Sequence, residues 1–265
     1  MDKITIIGAG NLGFSIITGL AASHLFDVKS ITVADKSTSR LDDIKKNLKV
    51  SVTTDSTQAI KGSKWIILCV QPRHIDAVIE EIKNSLTDKH VLISTVLGKS
   101  IQDISHLAST KNVVRVMPNT ASSIQQSMTC ICAGNNVKEA DVKFVSKIFN
   151  TIGKTLIVEE HLIQSATVLG ASGIAFVLRF ISAMMQGGVQ MGFHPHEAQL
   201  IAMQTTIGAA SLLTQENAHP ETEINKVTTP SGCTIEGLNE MEHNGLSSSV
   251  IQGLMAAYDK INKVK

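Results

Sequence analysis

The sequence predicts a doubly wound α/β domain on a mostly parallel sheet, followed by an all-helical domain, within 265 residues. Three observations predict it. Short β-branched apolar runs alternate with amphipathic helical patterns as far as Glu160. A glycine-rich turn joins the first run to the first helix. Beyond Glu160 the strand-like runs stop, and long apolar helical patterns take over.

The elements follow in order. KITII (3–7), SITVA (30–34), WIILCV (65–70), HVLIS (90–94) and NVVRVM (112–117) are continuous apolar runs, as expected of strands buried on both faces. The helix expected from Pro72 places Ile75, Val78, Ile79, Ile82 and Leu86 on one face and Glu80, Glu81 and Lys83 opposite. SMTCICA (127–133) and KTLIVE (154–159) flank a helix from about Lys138 to Asn150. The domain boundary is placed near residue 160, giving domains 1–160 and 161–265. In the second, helical patterns break at Gly192–Pro195 and Asn217–Pro220.

Composition narrows the class. Aromatic residues make up only 3% against 43% hydrophobic, so the core must be aliphatic. Lys+Arg 24 against Asp+Glu 23 leaves no basic face for nucleic acid. The four cysteines show no metal or disulfide spacing, which suits reduced thiols and a cytoplasmic location. No targeting segment is expected before the first strand, because glycines interrupt any signal-like apolar core. Between Glu160 and Glu197 Arg179 is the one permanently charged side chain. That run is long enough for a bilayer, but its scattered Gln, Ser and Thr favour helices buried against a second copy. His194-Pro195-His196-Glu197 reads as a helix start with Pro at its first position, and no metal is expected.

Gly8-Ala9-Gly10-Asn11-Leu12-Gly13 has the context of a dinucleotide fingerprint, after a strand and opening a helix, with Asp35 ending the second strand about 20 residues on. Gly8 permits the turn, Gly10 lets a pyrophosphate approach, and Gly13 lets helix pack on strand. The domain is therefore Rossmann-type. Asp35 as a ribose acceptor points to NAD(H); Lys36, Ser37, Thr38, Ser39 and Arg40 beside it point to a 2′-phosphate. The reading leans to NADP(H), with NAD(H) as the alternative.

One stretch near the end, KVTTPSGCTIEGL (226–238), packs hydroxyls and small residues around a helix start. It is either a plain cap or a cradle for an anion. Here the chain resembles the pyrroline-5-carboxylate reductases. IGAGNLG, CVQP (69–72), VVRVMPNTAS (113–122), GVQMGFHPHEA (188–198), TIGAASLL (206–213) and VTTPSGCTIEGL (227–238) are similar to that family's motifs, in the same order. Departures mark a diverged member: Gly170-Ala171-Ser172-Gly173-Ile174-Ala175-Phe176 stands where the family has SGSGPAY, Val96-Leu97-Gly98 replaces its AAG turn, Ser231 replaces a glycine, and Gln71 replaces a lysine.

The resemblance implies hydride transfer to the C=N carbon of 1-pyrroline-5-carboxylate, giving proline. It extends the cofactor set from the glycine turn, Asp35, Lys36 and Ser37 to Ser56, Cys69, Val70, Gln71, Pro72, Thr95 and Leu97. It makes the helical domain a dimerisation domain, in a homodimer or a ring of dimers. The substrate set becomes Thr228, Thr229, Gly232, Cys233, Thr234, Asn119 and Ser172. Amides of Gly232, Cys233 and Thr234 are expected to point at the substrate carboxylate, with Thr234 at the ring nitrogen. Glu160 is expected to favour the iminium form or merely to start a helix. Catalytic acid is not needed, because an imine nitrogen is basic enough to be protonated beforehand. Three alternatives stay open: a reductase of another cyclic imine, a β-hydroxyacid dehydrogenase-like enzyme, and a non-catalytic NAD(P)-binding regulatory protein. The second is disfavoured because no lysine, its expected catalyst, occurs between Lys154 and Lys226.

Overall fold

The computed structural model describes residues 2–263, so Met1 and Lys265, the outer ends of the two expected domains, lie outside the described residues. Packing divides the chain into two compact units, the first running to Ser172 and taking in residues 260–263, the second spanning Gly173–Asp259. The division falls beyond residue 160 because Ile163 and Val168, 1% and 4% exposed, stay with the sheet.

The first unit is an eight-stranded sheet: β1 (Lys3–Ile7), β2 (Ile31–Ala34), β3 (Ser51–Thr53), β4 (Ser63–Leu68), β5 (Val91–Ser94), β6 (Val113–Met117), β7 (Ser127–Ala133) and β8 (Gly153–Ile157). Their order is β3-β2-β1-β4-β5-β6-β7-β8, and every pairing is parallel except β6 with β7. Sequence order reverses between β1 and β4, so the crevice outside their carboxyl ends is where a doubly wound sheet binds ligands. Helices cover both faces: α1 (Asn11–Ala22), α2 (Thr38–Leu48), α3 (Ser56–Ala59), α4 (Ile75–Ile82), α5 (Ile101–Ala108) and α6 (Glu139–Asn150).

Alternation along each strand builds two cores. Ile4, Ile6, Trp65 and Ile67 face α1, α2 and α6, while Ile7, Ile66 and Leu68 face α4 and α5. The single Trp65 stacks on Phe144 at 4.7 Å between centroids, supplying much of the first core's aromatic area. Thr5, fully buried in β1, is tolerated because its hydroxyl donates to the Ala59 carbonyl at 2.7 Å. Cys130 and Cys132 share one face of β7 and pack with Ile163, as the two-residue spacing requires.

After β8 the chain becomes helical: α7 (Ile163–Ala166), a π-helical turn (Thr167–Ser172), α8 (Gly173–Gln190), α9 (Pro195–Leu212), α10 (Pro220–Val227), α11 (Cys233–His243) and α12 (Leu246–Lys263). Prolines open α9 and α10 where the pattern broke, and the Glu197 carboxylate accepts from the His194 amide at 2.9 Å. Within the second unit α8 and α9 pack tightly enough that a Cβ on Gly188 would lie 2.9 Å from the Ala198 methyl. Their outer surfaces and the turn between them stay apolar: Leu178 of α8, Met191 of the turn and Leu200 of α9 are 59%, 77% and 61% exposed. The helical run Glu160–Gln190 is long and apolar enough to cross a membrane by length and composition.

Candidate active site

β1 delivers the chain into the glycine turn, and the three glycines separate by role. Gly8 has φ +99°, and a Cβ there would lie 2.5 Å from the Cys69 carbonyl oxygen. A Cβ on Gly13 would overlap the Gly8 carbonyl, so α1 reaches the strand only because that atom is missing. At Gly10 a Cβ would meet nothing within 4 Å. The backbone there faces an open crevice, and no side chain caps the helix it starts. The free amides at the head of α1 therefore point at a space with room for a pyrophosphate.

That space is a cavity of about 550 Å³ lined by Gly8, Gly10, Asn11, Asp35, Lys36, Ser56, Cys69, Val70 and Gln71, all expected cofactor residues. Leu12 packs on the core, Gly13 lies beneath the turn, and Ser37 caps α2, accepting from the Arg40 amide. Thr95 lies behind Cys69, its hydroxyl donating to the Leu68 carbonyl at 3.0 Å. Pro72 and Leu97 line a second cavity of about 700 Å³, with Arg115 and the Lys99-Ser100 turn. Sequence reasoning missed Arg73, His74, Ala77, Val78 and Glu81 as lining residues of the first cavity. Their three- and four-residue spacing, along the 3₁₀ turn Pro72–His74 and on into α4, was the available signal. Burial pushes the Cys69 thiol up to about 12, with the Thr95 hydroxyl opposing, so this wall of the cavity is neutral at physiological pH.

Three other expected residues, Glu160, Asn119 and Ser172, belong to the first unit. Glu160 Oε1 accepts from the Ile101 amide at 2.6 Å and from Arg115 Nη1 at 3.1 Å. Arg115 is 5% exposed, and its Nε finds no partner among the described residues, so this carboxylate is its main counter-charge. Asn119, 8% exposed, accepts from the Ala121 amide at 3.0 Å and donates to the Gly170 carbonyl at 2.9 Å. The structure thus ties Asn119 to the π-helical turn that ends at Ser172. π-Turns interrupt helices most often at functional positions.

The turn before α11 belongs to the second unit. The Gly232 amide donates to the Thr229 carbonyl at 3.0 Å, closing a β-turn with Pro230 and Ser231 at its centre. Ser231 takes φ +57°, the left-handed position a type II turn requires. The expectation that the Gly232 amide faces a ligand is therefore corrected, since the turn itself engages it. A Cβ on Gly232 would overlap the Thr229 hydroxyl, so a glycine is required for a different reason. No side chain caps α11, and the amides at its head, Cys233 and Thr234 first, remain without intrahelical partners. Thr228 donates to the Asn225 carbonyl at 3.3 Å and secures the end of α10.

Comparison with known proteins agrees with this geometry. The family model "Pyrroline-5-carboxylate reductase dimerisation" matches residues 160–264, and "NADP oxidoreductase coenzyme F420-dependent" matches residues 3–98. Pyrroline-5-carboxylate reductase 2 of Dictyostelium discoideum is 38% identical over 98% of this chain and 92% of its own length. Pyrroline-5-carboxylate reductase 1 of the same organism is 43% identical over 98% of this chain, which spans 49% of that longer protein. The solved structure of a pyrroline-5-carboxylate reductase from Coxiella burnetii superposes with a TM-score of 0.95 at 28% identity, covering 100% of this chain and 98% of that one. With its glycine turn, its helical second unit and these relatives, the chain belongs to the pyrroline-5-carboxylate reductase family.

Proposed function

We propose that this protein reduces the cyclic imine 1-pyrroline-5-carboxylate to L-proline, using NADPH in preference to NADH. The observation that carries the reading is the uncapped head of α11 in a turn that holds hydroxyls and no acid or base except the Cys233 thiol. Free amides and the positive end of a helix suit a small carboxylate, the one permanent charge of the substrate. Thr229 supplies a hydroxyl to that carboxylate, and Thr234 one to the ring nitrogen. The glycine turn, Ser56, Gln71 and the residues around Asp35 hold the dinucleotide, which when bound supplies the hydride for the imine carbon. Protonation of the imine nitrogen precedes that transfer, so the protein has to position and neutralise rather than deliver a proton.

Asn119 and Ser172 complete the substrate set in this proposal, with Asn119 fixing the π-turn. Glu160 was expected to favour the iminium. Its pairing with Arg115 weighs against a large charge effect, and we assign it to holding the head of α5. Self-association through α8 and α9 covers their apolar surfaces, and we propose a homodimer or a ring of dimers in the cytoplasm, where the free thiols stay reduced.

The test is oxidation of NADPH or NADH by purified protein with 1-pyrroline-5-carboxylate beside homologous cyclic imines. The altered 170–176 segment makes ring size the informative variable. Thr234→Ala should lower kcat/KM by about 1–3 kcal/mol, as for a lost hydrogen bond to a charged group, and leave NADPH affinity unchanged. Turnover of a homologous imine alone would move the substrate assignment; cofactor binding without any turnover would favour the regulatory reading.

A further inference from the structure

The acid that ends β2 is the conventional ribose acceptor of a dinucleotide site, yet here its carboxylate is already engaged. Asp35 Oδ2 accepts from the Ala9 amide of the glycine turn at 2.7 Å. Its Oδ1 accepts from the Ser37 amide at 2.8 Å. Arg40 Nη1, from the first turn of α2, approaches Oδ2 at 3.4 Å. The side chain keeps only 12% of its surface exposed, whereas that of Arg40 keeps 50%. Three donors thus converge on one carboxylate, and little of it is left toward solvent. Lys36, Arg73 and His74 line the same cavity, with Glu81 as its other acid, so cationic or ionisable groups outnumber the carboxylates there.

We infer that Asp35 is a positioning residue rather than a ribose acceptor: it locks the glycine turn to the head of α2 and holds Arg40 as the group that reads a 2′-phosphate. The inference rests on the cofactor reading above. Physically, a ribose hydroxyl pair would have to crowd onto a nearly buried carboxylate whose Oδ2 already serves two donors, with a lone pair left on Oδ1 alone. A phosphate displaces nothing. It adds a strong acceptor beside a half-exposed guanidinium whose fork matches its geometry. Arg40 offsets the charge of Asp35, and Lys36 and Arg73 on the same cavity supply positive charge for a second anion.

The test is binding, read by fluorescence titration of NADPH and NADH and by calorimetry with adenosine 2′,5′-bisphosphate and adenosine 5′-monophosphate. Wild-type protein should bind the bisphosphate at least about tenfold tighter than the monophosphate. Arg40→Ala should bring the two within about threefold, and Arg40→Lys should recover part of the difference. Asp35→Asn, which keeps one acceptor oxygen of two, should weaken NADH and NADPH together, NADPH at least as much as NADH, because the loosened glycine turn serves both. In the Arg40→Ala background the same change should alter the NADPH-to-NADH ratio less than twofold, because its influence on the ratio runs through Arg40. A tenfold selective loss of NADH affinity in Asp35→Asn, persisting when Arg40 is absent, would establish ribose contact and overturn the inference. So would an Arg40→Ala protein with undiminished preference. Wild-type protein that binds neither dinucleotide would overturn the cofactor reading and this inference with it. Circular dichroism and melting of each variant separate these outcomes from misfolding.

Discussion

Removing the Glu160 side chain would leave two donors stranded, and the two consequences can be weighed separately. Glu160→Ala takes the acceptor from the Ile101 amide at 2.6 Å and from the Arg115 guanidinium at 3.1 Å. Arg115 is 5% exposed and its Nε already lacks a partner among the described residues, so the guanidinium would be a buried charge without its counter-ion. Breaking a fully buried pair costs about 3–5 kcal/mol. The Glu160 side chain is 38% exposed, so water replaces part of the loss, and about 2–3 kcal/mol is expected. For a chain of this size that corresponds to a fall in Tm of roughly 4–12 °C. Glu160→Gln keeps an oxygen facing both donors and removes only the charge. It should cost about 1 kcal/mol. Because Arg115 already balances that charge, kcat should fall less than about threefold. Scanning calorimetry and steady-state kinetics on both variants check this. A Gln variant with wild-type Tm and kcat reduced tenfold or more would refute the structural reasoning and give Glu160 a direct part in the chemistry.

Four further outcomes are expected. Gly10→Val should abolish dinucleotide binding with little change in Tm, since its Cβ meets no protein atom within 4 Å; equilibrium titration and melting check both halves. A brief iodoacetamide pulse at pH 8 should label Cys233 and spare Cys69 and Cys132, whose thiols burial pushes to about 12 and about 11, as peptide mass mapping reads. Those raised values also stabilise the fold below pH about 9, the ordinary thiol value, and that contribution is lost as pH rises from about 9 to about 12. Light scattering at micromolar concentration should give at least twice the mass of the 28.4 kDa chain, and a clean monomer would leave the apolar faces of α8 and α9 unexplained.

Much of the architecture was legible because burial on both faces forces continuous apolar runs, and five of the eight strands announce themselves that way, while β7 and β8 read only as a strand-like pair flanking a helix. β3 did not. Ser51-Val52-Thr53 is three residues long at the sheet edge, half-exposed, and too polar to stand out. The reversed direction of β7 is invisible to periodicity, which reports faces and not polarity. The short connection from Met117 to Ser127 was the clue, since a parallel crossover needs a dozen or more residues. The glycine turn was readable at full resolution because each glycine answers to a separate steric or ligand demand. The Arg115–Glu160 and Asn119–Gly170 contacts were not, because they join positions 45 and 51 residues apart that only folding brings together. Around the α11 turn, residue types identified a special loop. They could not tell which amide the turn would claim for itself, and Gly232 was assigned outward for that reason.

The capping pattern supplies one more argument for where anions bind. Side chains cap the starts of α2, α3 and α5, through Ser37, Asp55 and Ser100, and His219 serves α10. α6 and α9 lack such a cap bond but carry Glu139, Asp141 and Glu197 in their first turns, which answer the helix dipole. α1 has neither a cap nor an acid. Omitting a cap forgoes about 0.5–2 kcal/mol, and a twelve-residue helix at the centre of the sheet is an unlikely place to forgo it without return. The return is a set of amides left for a ligand. α11 is a weaker instance, because Glu236 lies in its first turn. Yet Glu236 comes at the fourth helical position, where its own amide already donates to the Gly232 carbonyl, and its side chain does not cap the amides at the head. α4 and α7 also lack a side-chain cap, but each continues a 3₁₀ turn directly before it; the uncapped starts of α1 and α11 instead follow extended glycines, Gly10 and Gly232. Each of these glycines adds no side chain that would cover the amides beyond it, as the approach of a phosphate at one and a carboxylate at the other would require.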